Sequence, residues 1–153
     1  MGFDQPSLKG RALRLLAGRE HSRAELQRKL APHETEAGEL NRALDELQAK
    51  GFINEQRVVE SVLHRRAPRL GAARVKQELQ AKGLDAQAVA EAVARLQETE
   101  EARAREVWRK KFGQVADDAH ARARQVRFLL TRGFSAQAVR SVVKGADDDC
   151  PED

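Results

Sequence analysis

A chain of 153 residues is long enough for one ordinary domain or a short row of smaller ones. Apolar residues make up 41% but aromatics only 4%, with no tyrosine, so the core is expected to be aliphatic and alanine-rich, with helices packed closely. No run approaches the roughly 20 apolar residues a membrane span needs and no apolar leader is seen, which predicts a cytoplasmic protein, while the lone Cys150 cannot form an internal disulfide and is expected to be an inert, exposed thiol.

Residues 1–6 show no periodicity and are expected to be mobile. A first helix is predicted over Ser7–Ala17, with Leu8, Ala12 and Leu15 on one stripe. Ser22-Arg23-Ala24-Glu25 is a capping box, in which the serine oxygen and the glutamate carboxylate accept hydrogen bonds from amides that a first helical turn leaves unpaired. It opens a second helix that ends near Leu30, before Pro32. Leu40, Ala43, Leu44 and Leu47 recur at helical spacing and predict a third helix over Glu36–Lys50, stopped by Gly51.

Asn54 caps a helix that reaches about Arg66 on the pairs Val58/Val59 and Val62/Leu63, and Pro68 breaks it. A short helix, Ala72–Lys82, stops at Gly83, and Asp85 caps the next, which runs through Leu96. A bend or break is expected within Glu98–Arg105, since Ala104, Val107, Trp108 and Phe112 form a new stripe, where Trp108 is read as core rather than as a base-stacking ring. Gly113–Asp118 reads as a loop and Asp117 or Asp118 as the cap of a helix with Ala119, Ala123, Val126 and Leu130 inward. Gly133 stops that helix, and Ser135 caps a last one that fades at Gly145.

The chain repeats itself. Lys82-Gly83-Leu84-Asp85-Ala86-Gln87-Ala88-Val89 returns as Arg132-Gly133-Phe134-Ser135-Ala136-Gln137-Ala138-Val139, with Leu79 matching Leu129 upstream. A fainter copy precedes both: Glu25-Leu26-Gln27 aligns with Glu78-Leu79-Gln80, and Leu40, Ala43, Leu44 and Leu47 align with Val89, Ala92, Val93 and Leu96 once an insertion near Pro32–Glu36 is allowed. The fold expected is all-α, an elongated tandem array of three three-helix repeats at residues 7–52, 53–97 and 98–145, followed by a disordered acidic tail at 146–153.

Charge is distributed unevenly along this array. Residues 54–83 carry seven Lys and Arg against three acids, and residues 103–132 nine against three, whereas 84–101 are net −4. Asp147, Asp148, Asp149, Glu152 and Asp153 place five further acids at the end, and without them the net charge would be +9, enough to call for an anionic partner. The candidate contact residues are Arg65, Arg66, Arg69, Arg74, Lys76 and Lys82 in the second repeat and Arg103, Arg105, Arg109, Lys110, Arg124, Arg127 and Arg132 in the third. The bland alternative is a solvated helix face, with some arginines merely pairing Glu100, Glu101 and Glu106. The acidic end is expected either to compete with phosphates for these same cations or to be an inert solubilising end.

Nothing in the sequence supplies a foothold for catalysis. It has no phosphate-cradling glycine loop and no nucleophile with a relay, and His21, His33, His64 and His120 lack metal-ligand spacing, so no enzyme, metal or cofactor is expected. The residues themselves give an elongated, bipolar, basic helical array, expected to be monomeric, whose anionic partner is nucleic acid, a nucleoprotein or an acidic protein surface. One alternative is an array that binds single- or double-stranded DNA directly, weakly and without sequence preference, each glycine turn and capped helix resembling a loose helix-turn-helix.

Three phrases carry a resemblance to a known family. Arg69-Leu70-Gly71-Ala72-Ala73-Arg74-Val75-Lys76-Gln77-Glu78-Leu79-Gln80-Ala81-Lys82-Gly83-Leu84 resembles the central signature of the RecX family: a glycine, a basic residue beside an aliphatic one, Glu-Leu, then a basic residue, Gly and an aliphatic. Phe128-Leu129-Leu130-Thr131-Arg132-Gly133-Phe134 and Arg19-Glu20-His21-Ser22-Arg23-Ala24-Glu25-Leu26 are similar to two further phrases of that family, and the resemblance covers about residues 8–144. Ile53-Asn54-Glu55-Gln56-Arg57-Val58-Val59 departs from it, keeping one acid where the family has a pair and lacking its aromatic. The resemblance implies a regulator that binds the RecA–DNA filament along its groove and inhibits ATP hydrolysis, strand exchange and coprotease activity, modulating recombination, DNA repair and the SOS response.

Overall fold

The structure, a computed structural model, describes residues 5–143, which hold nine α-helices and no strand. The expectations of a mobile start and of a disordered acidic end fall, except for Gln5 and Pro6, outside the described residues.

Helix α1 (Leu8–Gly18) begins where the Ser7 hydroxyl accepts from the Gly10 amide at 3.0 Å. Helix α2 (Arg23–Leu30) opens on the capping box, with the Ser22 hydroxyl accepting from the Glu25 amide at 3.1 Å and the Glu25 carboxylate accepting from the Ser22 amide at 3.0 Å. A 3₁₀ turn at Ala31–His33 follows, built around Pro32. Helix α3 (Glu39–Ala49) starts later than its apolar spacing predicts. Gly38, at φ +83°, turns the chain left-handed just before it, and the Glu34 carboxylate accepts from the Leu40 amide at 2.8 Å. Leu8, Ala12, Leu26, Leu30, Leu40, Leu44, Leu47 and Ile53 form the core that these three helices share.

The second unit comprises α4 (Glu55–Arg66), α5 (Ala72–Ala81) and α6 (Ala86–Glu98), capped by Asn54, Gly71 and Asp85 respectively. Thr99 then interrupts the helix, as the change of stripe predicts, and α7 (Glu100–Lys111), α8 (Ala119–Thr131) and α9 (Ala136–Val142) build the third unit. Asp118 caps α8 and Ser135 caps α9, and the stops Gly51, Gly83 and Gly133 take φ of +84°, +69° and +91°. Each unit encloses its own core, the second around Val62, Val75 and Leu79, the third around Ala104, Leu129 and Val139.

The stripe expected on α8 is corrected. Ala119 and Leu130 are exposed, and the helix turns Gln125 and Leu129 inward instead. Gln125 is tolerated at a core position because both ends of its side-chain amide are hydrogen-bonded: its carbonyl accepts from Trp108 Nε1 at 2.9 Å and its amide donates to the Gln114 carbonyl at 3.1 Å. Trp108 is thereby a core residue, as expected.

Successive units are joined by one device used twice. At the first joint the last carbonyls of α5 accept from unit one: Lys82 from the Ser22 hydroxyl at 2.5 Å, and Ala81 from Arg28 at 2.8 Å. At the second, the last carbonyls of α8 accept from unit two: Arg132 from the Gly71 amide at 2.8 Å, and Thr131 from Arg74 at 2.8 Å. In both cases the residue that caps a unit's middle helix reaches the carbonyl end of the next unit's middle helix, satisfying groups that a helix terminus leaves unpaired.

Candidate interaction groove

A buried carboxylate secures each joint. Glu25 carries charge-assisted bonds from Arg19 at 2.7 Å and from Lys82 at 3.4 Å. Burial pushes its carboxyl up, but the bonds from Arg19 and from the Ser22 amide, with the Lys82 charge, overcome this and lower it to about 2. Glu100, 6% exposed, accepts from the Ala72 amide at 3.3 Å and the Ser135 amide at 3.1 Å, so one side chain ties the start of α5 to the start of α9. Beside it Arg103 donates to the carbonyls of Ala67, Leu70 and Leu96 at 2.8, 2.6 and 2.8 Å.

The second joint also brings two glycines together. Gly71 has ordinary extended backbone angles, yet a Cβ there would meet the Gly133 carbonyl and the Phe134 amide nitrogen well inside the 3.0 Å at which something must move. Only a residue without a side chain lets these two backbones touch.

This joint seats the end of α4 opposite α7 and α8. Between them lies a groove of about 840 Å³ lined by His64, Arg65, Arg66, Pro68, Arg69, Val107, Lys110, Lys111, Phe128 and Arg132. Six of these are Lys or Arg and none is an acid. Pro68, Val107 and the Phe128 ring supply the apolar part. Lys111 Nζ lies 5.5 Å and the Arg132 guanidinium 4.9 Å from the centroid of Phe128, and the Phe112 ring stands nearly perpendicular to it with centroids 5.4 Å apart. A second hollow lined by Arg124, Arg127, Phe128, Thr131 and Arg132 shares Phe128 and Arg132 with the groove and extends it along α8.

Of the cations singled out in the sequence, the fold therefore gathers Arg65, Arg66, Arg69, Lys110 and Arg132 in the groove, with Arg124 and Arg127 beside it. Arg66 Nε stands 3.0 Å from Glu78, and Lys110 is a looser 3.8 Å from Glu106. The other candidates lie elsewhere. Lys82 and Arg103, with side chains 12% and 14% exposed, are bound into the joints and leave little surface for a partner, because their chemistry satisfies buried carbonyls and carboxylates. Arg74 holds the Thr131 carbonyl, Arg105 pairs with Glu101 at 3.2 Å and Arg109 with Glu106 at 2.7 Å. Lys76 borders two hollows lined in part by Ala73, Val93 and Gln97, apart from the groove. His64, Lys111 and Phe128 line the groove without having been singled out for it.

Among the described residues no group of His, Cys, Asp and Glu is arranged to hold a metal ion, and no helix is long and apolar enough to cross a membrane.

Comparison with known proteins points to one family. Residues 9–47 match the model of the first three-helix domain of RecX, 54–93 that of the second and 98–143 that of the third. A regulatory protein RecX from Leptothrix cholodnii is 55% identical over 149 residues, covering 97% of this chain and 95% of its own. Its counterpart from Herminiimonas arsenicoxydans is 47% identical, covering 94% and 95%. The crystal structure of RecX from Lactobacillus salivarius superposes with a TM-score of 0.69 at 21% identity, covering 89% of this chain and 92% of that one, which extends the likeness to the fold.

Proposed function

The chain belongs to the RecX family of regulatory proteins, and from that premise we propose that it binds the RecA–DNA filament through the groove between its second and third units. Binding there inhibits ATP hydrolysis, strand exchange and coprotease activity, and so modulates recombination and repair in the cytoplasm. The protein acts by occupancy, as a monomer, with no reaction of its own. The observation that carries this reading is the groove itself, six Lys and Arg side chains with no acid among the lining residues. Such a surface suits carboxylate or phosphate, and guanidinium forks suit both in two-point geometry. Its apolar stretch at Pro68, Val107 and Phe128 adds area for a protein partner.

Co-sedimentation with preformed RecA filaments tests it. The protein pellets with filaments, and replacing Arg65 and Arg69 by Gln releases it. Recovery of the unaltered protein in the supernatant at low salt would refute the proposal.

A second reading is favoured by the same exposed arginines: a nucleic-acid-binding array that acts without RecA. It predicts salt-sensitive binding to bare DNA of any sequence with strand exchange by RecA unchanged.

A further inference from the structure

We infer that the acidic segment Asp147–Asp153 of this same chain docks in the basic groove and fills it until an anionic partner displaces it. The inference rests on the reading of the groove as an anion site and adds the way that site is kept from indiscriminate binding.

The first ground is charge complementarity. In the first unit Lys9 and Lys50 pair with Glu46, Arg19 with Glu25 and Arg23 with Asp45, and the cations without an ion pair there among the described residues, Arg11, Arg14, Arg28, Lys29 and Arg42, do not line the groove. In the groove Arg65, Arg69, Lys111 and Arg132 form no ion pair among the described residues, and no carboxylate lines it. The chain ends in Asp147-Asp148-Asp149-Cys150-Pro151-Glu152-Asp153, five carboxylates against the six Lys and Arg of the groove. Its remaining two side chains, a thiol and a pyrrolidine ring, match the apolar strip formed by Pro68, Val107 and Phe128.

The second ground is where the described chain stops. Val143, its last residue, packs in the third core with Val139, Val142, Val107 and Phe128, and the latter two also line the groove. Packed helices lie about 8–10 Å apart. From Val143 an extended chain spans at most about 3.3–3.6 Å per residue, so Asp147 can reach roughly 13 Å and Asp153 roughly 33 Å. Both sides of the three-helix unit fall within that reach.

The third ground is strength. Exposed ion pairs are individually weak and screened by salt, so a tethered segment holds the groove through its high local concentration, on the order of millimolar for a short link. A partner offering many phosphates or carboxylates at once displaces it, whereas a sparse anion does not.

The chain contains one tryptophan, Trp108 on α7, and one cysteine, Cys150, so a dansyl acceptor on Cys150 pairs with Trp108 without any mutation. Docking predicts that the transfer efficiency is altered by replacing Arg65 and Arg69 with Gln and is unaltered by replacing the distant Arg14 and Arg42 with Gln. In the unlabelled chain, deleting residues 147–153 strengthens binding to a fluorescein-labelled oligothymidylate about threefold at low salt, and the gain vanishes in the Arg65/Arg69 variant. Transfer that responds alike to both pairs of substitutions, or not at all, overturns the docked segment even if deletion strengthens binding, since general repulsion then suffices. If the oligonucleotide binds the Arg65/Arg69 variant as tightly as the unaltered chain, it is the reading of the groove as an anion site that fails.

Discussion

Replacing Gly71 with alanine adds one methyl group at the closest contact between the second and third units. Its φ of −77° and ψ of 167° suit any residue, so backbone strain plays no part. The methyl instead meets backbone atoms of Gly133 and Phe134, which cannot rotate out of its way as a side chain could. Overpacking of this kind costs about 1–3 kcal/mol, and parting the helices also loosens the 2.8 Å bond from the Gly71 amide to the Arg132 carbonyl, worth about 1 kcal/mol. The stiffer unfolded chain offsets about 0.4–1 kcal/mol. The net loss of about 1–3 kcal/mol lowers the melting temperature by roughly 3–10 °C for a chain of this size. Because the same contact seats α4 opposite α7 and α8, oligothymidylate binding weakens as well. Thermal circular dichroism beside Gly18→Ala is the assay, since Gly18 ends α1 facing open space and its replacement leaves stability unchanged or raised by up to about 1 kcal/mol. A Gly71→Ala protein that melts and binds like the unaltered chain would refute the account of the joint.

Gly133→Val strains a left-handed turn at φ +91° by about 1–2 kcal/mol, and an unchanged denaturation midpoint would show that the turn yields freely. Reversing Arg65, Arg66 and Arg69 to Glu abolishes anion binding while helical circular dichroism persists, and loss of helicity would mean that they hold the fold. The Glu25 carboxyl, lowered from 4.5 to about 2, contributes stability that is complete above about pH 4.5 and is lost as pH falls through its folded value. The difference in melting temperature between the unaltered chain and Glu25→Gln therefore shrinks from pH 5 to pH 2, and a gap constant over that range would contradict the buried pairing.

What could be read from the sequence was local chemistry. The capping box at Ser22, the caps at Asn54, Asp85 and Ser135, and the glycine stops at Gly83 and Gly133 depend on residues within one turn, and the structure has them where spacing puts them. The late start of α3 escaped because Gly38 and the Glu34 carboxylate, not the leucine spacing, decide where the backbone turns. The α8 stripe was misread because Gln125 looks like a surface residue until Trp108 and Gln114 supply its partners. At the groove, counting charges singled out several of the cations that line it but could not separate exposed arginines from those tied into joints. Lys82 meets Glu25, and Arg103 meets Ala67 and Leu70, across long stretches of chain. The same distance hid why position 71 is a glycine, which only the Gly133 backbone explains.

The measurement that bears most directly on the central claim is the single-strand-dependent ATPase of RecA with this protein titrated in at low salt. The account predicts suppression at amounts well below one molecule per RecA protomer, lost when Arg65, Arg66 and Arg69 are reversed to Glu. An ATPase rate that stays unchanged at molar excess of the unaltered protein would contradict it.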